Sequence, residues 1–166
     1  MGASRPKLRV FTTGGTIDKV YFDAKSTYEV GDPTVAHMFT ESEVGFDFEV
    51  TSLMRKDSLE LTDSDRSEIR AAVSACAERH IVITHGTDTM PETARALLGV
   101  RDKVVVITGA LYPARFRWTD AVFNVGGAVA AVWTLPPGVW VVVNGRVYAG
   151  DKVRKDRERN RFIEIP

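Results

Sequence analysis

The apolar positions change character from segment to segment along the chain. Leu8 to Phe11 is a short β-type run that stops at Thr12-Thr13-Gly14-Gly15-Thr16, and Phe48 to Met54 alternates apolar and polar residues like a half-buried strand. From Asp63 to Arg79 the period becomes helical, with Ile69, Ala72, Val73, Cys76 and Ala77 on one face and Thr62 with Asp65 as a capping box. Ile81-Val82-Ile83 and Val104-Val105-Val106-Ile107 are unbroken β-branched runs, the pattern of strands buried on both faces. Thr89 to Leu98 reads as a short helix, with Pro91 in its first turn and Gly99 just beyond its end. Asp120 to Leu135 reads as a longer helix despite Gly126-Gly127. Val139 to Val143, Asn144-Gly145 and Arg146 to Tyr148 form a β-hairpin with a type I′ turn. Asp151 to Arg161 is charged and lacks apolar periodicity.

Apolar strands alternating with helices predict an α/β domain of flavodoxin- or Rossmann-like outline. It has three layers around a mainly parallel sheet, with a C-terminal β-hairpin. No repeat or linker divides residues 1–166, so one domain is expected. Such sheets bind ligands outside the carboxyl ends of their strands.

Composition narrows the function. The 22 Lys and Arg balance 22 Asp and Glu, which argues against a nucleic-acid partner held by general phosphate attraction. The single cysteine, Cys76, excludes an internal disulfide and any multi-cysteine metal site, and His37, His80 and His85 have no metal-ligand spacing. Hence no metal and no cofactor is expected. No apolar run approaches the ~20 residues of a membrane span. Met1 to Pro6 leads into the first β-type run without an apolar leader, so a cytoplasmic, reducing location is expected. Trp118, Trp133 and Trp140 are assigned to core or interface.

Three strand ends carry Gly and Thr: Thr13-Gly14-Gly15-Thr16, Thr84-His85-Gly86-Thr87-Asp88-Thr89 and Thr108-Gly109-Ala110. Neither a dinucleotide fingerprint nor a P-loop is present. Taken singly, each is consistent with a tight strand-to-helix turn. Taken together, they offer hydroxyl nucleophiles and a carboxylate in one cleft, which suits a hydrolase if a desolvated lysine supplies the base. The residues alone do not say which lysine.

Thr13-Gly14-Gly15-Thr16-Ile17 and His85-Gly86-Thr87-Asp88-Thr89-Met90, in this order and each after a β-type run, resemble the two signature segments of the bacterial-type L-asparaginases. The similarity extends through Lys25 to Gly31, Asp57 to Thr62, Val106 to Ala110, Asp120 to Asn124 and Gly150 to Lys155. It covers nearly the whole chain but only the N-terminal domain of the longer, two-domain members.

The resemblance implies an amidohydrolase that converts L-asparagine to L-aspartate and ammonia through a threonine-linked acyl-enzyme. Thr16 matches the nucleophile and Tyr28 the tyrosine that assists it, while Thr87, Asp88 and Lys155 match the second catalytic group. Gly15, Ser58, Gly86, Thr87, Asp88 and Ala110 match substrate-binding positions. The longer members add substrate contacts from their C-terminal domain, and Leu59 replaces a polar residue found in some of them. Glutaminase or broader amidase activity, or a non-catalytic amino-acid-binding module, are the alternatives. The expected partners are a small-molecule substrate (L-asparagine, with L-glutamine a second candidate) and further copies of the chain, as homodimer or homotetramer. Neither nucleic acid nor membrane is expected. Lys155 also lies among Lys152, Arg154, Arg157, Arg159 and Arg161, where a solvated charge face is the ordinary meaning. His85 is expected to be hydrogen-bonded and structural rather than a base.

Overall fold

A computed structural model describes residues 5–166; Met1 to Ser4, on which the absence of a leader was argued, lie outside the described residues. In chain order the strands and helices are β1 (Lys7–Gly14), β2 (Lys19–Phe22), β3 (Thr27–Val30), α1 (Val35–Glu41), β4 (Asp47–Lys56), α2 (Asp63–Ala75), β5 (His80–Thr84), α3 (Met90–Leu97), β6 (Val104–Thr108), α4 (Ala121–Thr134), β7 (Gly138–Val143), β8 (Arg146–Ala149), β9 (Val153–Asp156) and β10 (Arg161–Glu164). Six strands form one sheet in the order β4-β1-β5-β6-β7-β8. Pairing is parallel from β4 to β7, and β8 returns antiparallel to β7. The expected α/β architecture and hairpin are present.

The unbroken apolar runs have a direct structural cause. Successive residues of a strand point to opposite faces, and here both faces are covered. Ile81, Ile83, Val105 and Ile107 pack toward α2 and α3, together with Ile69, Val73, Met90 and Leu97. Val82, Val104 and Val106 face α1 and α4, meeting Val35, Phe39, Val125 and Val132. Polar residues are therefore displaced to the strand ends.

Local signals are obeyed where the backbone demands them. Asn144 and Gly145 both adopt positive φ, as a type I′ turn requires, and Gly99 at φ 83° terminates α3. Thr62 and Asp65 cap each other at the start of α2.

Tertiary contacts correct other boundaries. The helix expected to reach Arg79 stops at Ala75, where Cys76 turns extended at ψ 148°, and Lys103 Nζ then takes the carbonyls of Cys76 and Glu78 at 2.6 and 2.9 Å. Helix α1 and the β2–β3 hairpin have no counterpart in the pattern analysis; both are short, and the hairpin is mostly exposed. The charged stretch from Asp151 to Arg161 contains β9 and the start of β10, whose Val153 and Phe162 enter the core. Two inward residues on four-residue strands are too few to register as periodicity.

Glu78 follows α2 and ties it to β1. It pairs with Arg9 Nε at 3.1 Å and with Lys7 Nζ at 2.9 Å, while Glu49 accepts from the same two cations. Hydrogen bonds from Arg9 and then Lys7 hold the Glu78 carboxyl down at about 2. A carboxyl lowered in the folded state binds protons more weakly there than in the unfolded chain. Its stabilisation is therefore present above its ordinary value near 4.5 and lost as pH falls toward 2. Urea titrations between pH 7 and 2.5 should show this loss, and Glu78→Gln should flatten the slope. At the sheet centre, Ile83→Ala should cost about 2–5 kcal/mol, read as a lower urea midpoint at unchanged m.

Candidate active site

The ends of β1 and β5 lie side by side, because their strands pair in parallel from Arg9 opposite Ile81 to Thr12 opposite Thr84. Beyond that point Gly15 turns at φ 86° and donates its N–H to the Lys56 carbonyl at 2.9 Å. A Cβ on Gly15 would lie 2.4 Å from the Gly86 backbone, and one on Gly86 would lie 2.6 Å from Ser58 Oγ. Three substrate-binding candidates from three segments are thus stacked in contact. Ser58 is held from behind by Thr89, whose hydroxyl donates to the Ser58 carbonyl at 2.6 Å. Asp57, before it, forms a capping box with Glu60 around the short turn.

The strand-end threonines divide into two sets. Thr12, Thr13, Thr84 and Thr108 are closed off from solvent, and the Thr13 hydroxyl is spent on the Thr84 carbonyl. Thr16 and Thr87 leave the Gly15–Gly86 contact instead. Thr16 is half-buried in a cleft of about 280 Å³ shared with Lys19, Tyr28, Pro113 and Phe116. Tyr28, brought over Thr16 by the β2–β3 hairpin, stacks edge-on to Phe116 at 6.1 Å.

Lys155 is not a surface member of its charge run. On β9 it points inward, places Nζ 2.9 Å from Thr87 Oγ1 and lies 4.9 Å from the centre of the Phe162 ring. Burial pushes its pKa below the ordinary lysine value, against the opposing pull of the Asp88 charge. Arg157 lowers it further, and Asp120 acts as a second, weaker raising charge. Arg157 also donates to the Asp88 carbonyl at 3.2 Å, fastening the β9–β10 hairpin to this loop. Lys152 and Arg154 remain exposed.

His85 is wholly buried and uses both ring nitrogens, with Nδ1 2.7 Å from the Gly86 carbonyl and Nε2 2.7 Å from Thr93 Oγ1. Burial lowers it to about 4, so it is neutral at neutral pH. A carbonyl can only accept, so Nδ1 carries the proton and Nε2 accepts from Thr93. This bond draws the Gly86 carbonyl inward. The peptide is trans, so the Thr87 N–H points the opposite way.

Ala110 is fully buried after β6, and among the described residues no side-chain hydrogen bond joins it to the other candidates. The loop it opens is organised by Asp120, which accepts from the N–H groups of Leu111 and Tyr112. Asn124 bonds both Asp120 and the Gly109 carbonyl. These positioning roles of Asp120 and Asn124 were not read from the sequence, although the segment was noted. Of the tryptophans, Trp133 packs on Phe46 and His80, Trp140 bonds the Pro136 carbonyl, and Trp118 is 82% exposed. Among the described residues no group of three or more His, Cys, Asp or Glu could hold a metal ion.

Residues 7–162 match the family described as Asparaginase, N-terminal. The chain belongs to the asparaginase family. It is 32% identical over 161 residues to L-asparaginase 2 of Escherichia coli, an alignment covering 90% of this chain and 46% of that protein. The Haemophilus influenzae protein named "Probable L-asparaginase periplasmic" is 30% identical over 92% of this chain and 47% of its own length. Among solved structures, the thermostable L-asparaginase from Thermococcus kodakarensis superposes with a TM-score of 0.83 at 27% identity, covering 96% of this chain and 51% of that one. The chain thus spans about half the length of the family members it matches. No helix among the described residues is long and apolar enough to cross a membrane.

The stacked glycines give a direct test. Gly15→Ala would force a methyl group into the Gly86 backbone from a left-handed conformation, so it should cost about 1–3 kcal/mol. Thermal denaturation should show this as a lower Tm with the far-ultraviolet spectrum retained.

Proposed function

We propose that this chain is an amidohydrolase that releases ammonia from L-asparagine through a threonine ester. The observation that carries the reading is the 2.9 Å contact between the partly desolvated Lys155 amine and the Thr87 hydroxyl, with Asp88 alongside. A solvated charge run gives no reason for that placement. The names of the relatives support the same reaction class.

In this reading Thr16 Oγ attacks the side-chain amide carbon, with Tyr28 beside it. The tetrahedral oxyanion is met by backbone N–H groups, the outward-turned Thr87 N–H among them. The Thr16 proton passes through the site's hydroxyl groups to the departing nitrogen, and the C–N bond breaks to give ammonia and a Thr16 ester. Water then attacks that ester. Neutral Lys155 takes the Thr87 hydroxyl proton across the same 2.9 Å and Thr87 takes one from the water; as the ester C–O bond breaks, the second water proton passes to the Thr16 oxygen, aspartate leaves as the carboxylate, and Lys155 gives its proton to solvent. Asp88 receives the substrate ammonium, Ser58 its α-carboxylate, and the Ala110 carbonyl faces the amide. Gly15 and Gly86 let the substrate approach the backbone closely. Residues 1–166 act as one domain, equivalent to the N-terminal half of the longer members. No metal or cofactor enters any step. The one cysteine, free and half-buried, fits a cytoplasmic setting. Self-association through exposed Val122 and Phe123 on α4 completes the reading and would appear in light scattering as a mass above 18.4 kDa.

The experiment is ammonia release from L-asparagine and L-glutamine. Thr16→Ala and Lys155→Met should each lower kcat by roughly 10²–10⁴, whereas Lys152→Met should change it less than about twofold. The base must be unprotonated, so the wild-type rate should rise with pH through the lowered lysine pKa, and Lys155→Met should lose that limb. Asparagine binding without turnover would identify a binding module instead. Equal effects of the two lysine variants would remove Lys155 from the chemistry.

A further inference from the structure

Asp18 is a buried carboxylate that no step above uses. It is 2% exposed and lies two residues after Thr16, at the root of the β2–β3 hairpin. Its Oδ1 accepts from both the backbone N–H and the hydroxyl of Thr34, each at 2.9 Å. Its carbonyl accepts from the Gly31 N–H at 2.8 Å. Gly31 leads out of β3, and Thr34 immediately precedes α1, which is anchored in the core by Val35 and Phe39. One residue therefore closes the neck of the loop from Lys19 to Val30 and fixes it to a core helix.

The hairpin has few other anchors. Its two strands form a sheet of their own, separate from the main sheet. Their side chains are exposed or half-exposed, Tyr21, Phe22 and Tyr28 by 52%, 44% and 50%. Apart from Asp18, the hairpin is tied down by Lys19, which pairs with Asp57 at 2.8 Å beside Ser58, by Tyr28 edge-on to Phe116 at 6.1 Å, and by Val30, which lies beside Gly14. Yet this hairpin carries Tyr28 over Thr16.

We infer that Asp18 is a positioning residue, a clasp whose two bonds to Thr34 set where the hairpin places Tyr28 over Thr16. Burial raises the Asp18 carboxyl above the ordinary aspartate value. Both groups from which Oδ1 accepts are uncharged donors, so an amide oxygen can take the same two bonds and asparagine can supply one.

The clasp rests on the proposed function only for its consequence in turnover, so the test has two arms. In the first, hydrogen exchange is followed on residues 1–166. Asp18→Ala should speed exchange of residues 19–30 by roughly 10- to 100-fold and leave α3 and β5 unchanged. Asp18→Asn should stay within about threefold of wild type, and Thr34→Val, which keeps the N–H, should fall between the two. Unchanged hairpin exchange in Asp18→Ala, or faster exchange spread equally over α3 and β5, overturns the clasp. If Asp18→Ala does not fold, Thr34→Val decides: a rise confined to 19–30 supports the clasp, and no rise or a uniform one overturns it.

In the second arm, Asp18→Ala should lower kcat to about the level of Tyr28→Phe. Combining the two should lower it no further, by less than about twofold. Effects that multiply would show that Asp18 does not act through Tyr28. A wild-type chain that releases no ammonia defeats the hydrolase reading, and the exchange arm still decides the clasp.

Discussion

Where β1 and β5 end, the backbones of Gly15 and Gly86 approach until no methyl group fits between them, and Gly86 in turn lies against Ser58. This contact is available only because the two strands pair in parallel with matched ends and because neither residue carries a side chain. Thr16 and Thr87 leave from it in the chain. A sheet buried on both faces supplies the stiffness behind them, since Val82, Ile81 and Ile83 are sealed on opposite sides. The hydroxyls are thus set by backbone geometry before any side-chain rotamer is chosen.

Around that centre three segments outside the main sheet are each fastened by a few specific contacts. The β9–β10 hairpin is seated by Val153 and Phe162 and brings Lys155 to Thr87. The β2–β3 hairpin is held at its neck by Asp18. The loop after Ala110 is folded on Asp120 and Asn124. Each is also fastened by polar side chains bonding backbone groups: Arg95 and Arg157 the carbonyls of Val153 and Asp88, Asp18 the Thr34 N–H, and Asp120 the N–H groups of Leu111 and Tyr112. The electrostatics follow from burial: His85 is held neutral, whereas Lys155 is pushed toward neutrality while Asp88 resists the shift.

Much of this was legible in the residues. Val104 to Ile107 could only be a strand covered on both faces, and Asn144-Gly145 could hardly be anything but a hairpin turn, because these signals are local. The Gly and Thr strings at strand ends marked the candidate site. What escaped was short or non-local. Helix α1 spans seven residues, and β9 has only Val153 in the core among charged neighbours. The end of α2 was misplaced because Cys76 turns extended there, and the chain beyond it is held by Lys103, 27 residues further on.

Periodicity and turn chemistry, which depend on near neighbours, thus determined the layers, the parallel core and the strand ends where chemistry could sit. Which lysine meets Thr87 was a different kind of question. Residues alone could not separate Lys155 from Lys152, since both lie in one charged run; the seating of Val153 and Phe162 turned Lys155 inward. Asp18 likewise reads as an ordinary loop acid until folding brings Thr34, sixteen residues away, onto its oxygen. Both depend on contacts between segments remote in the chain, whose closure local preference does not encode.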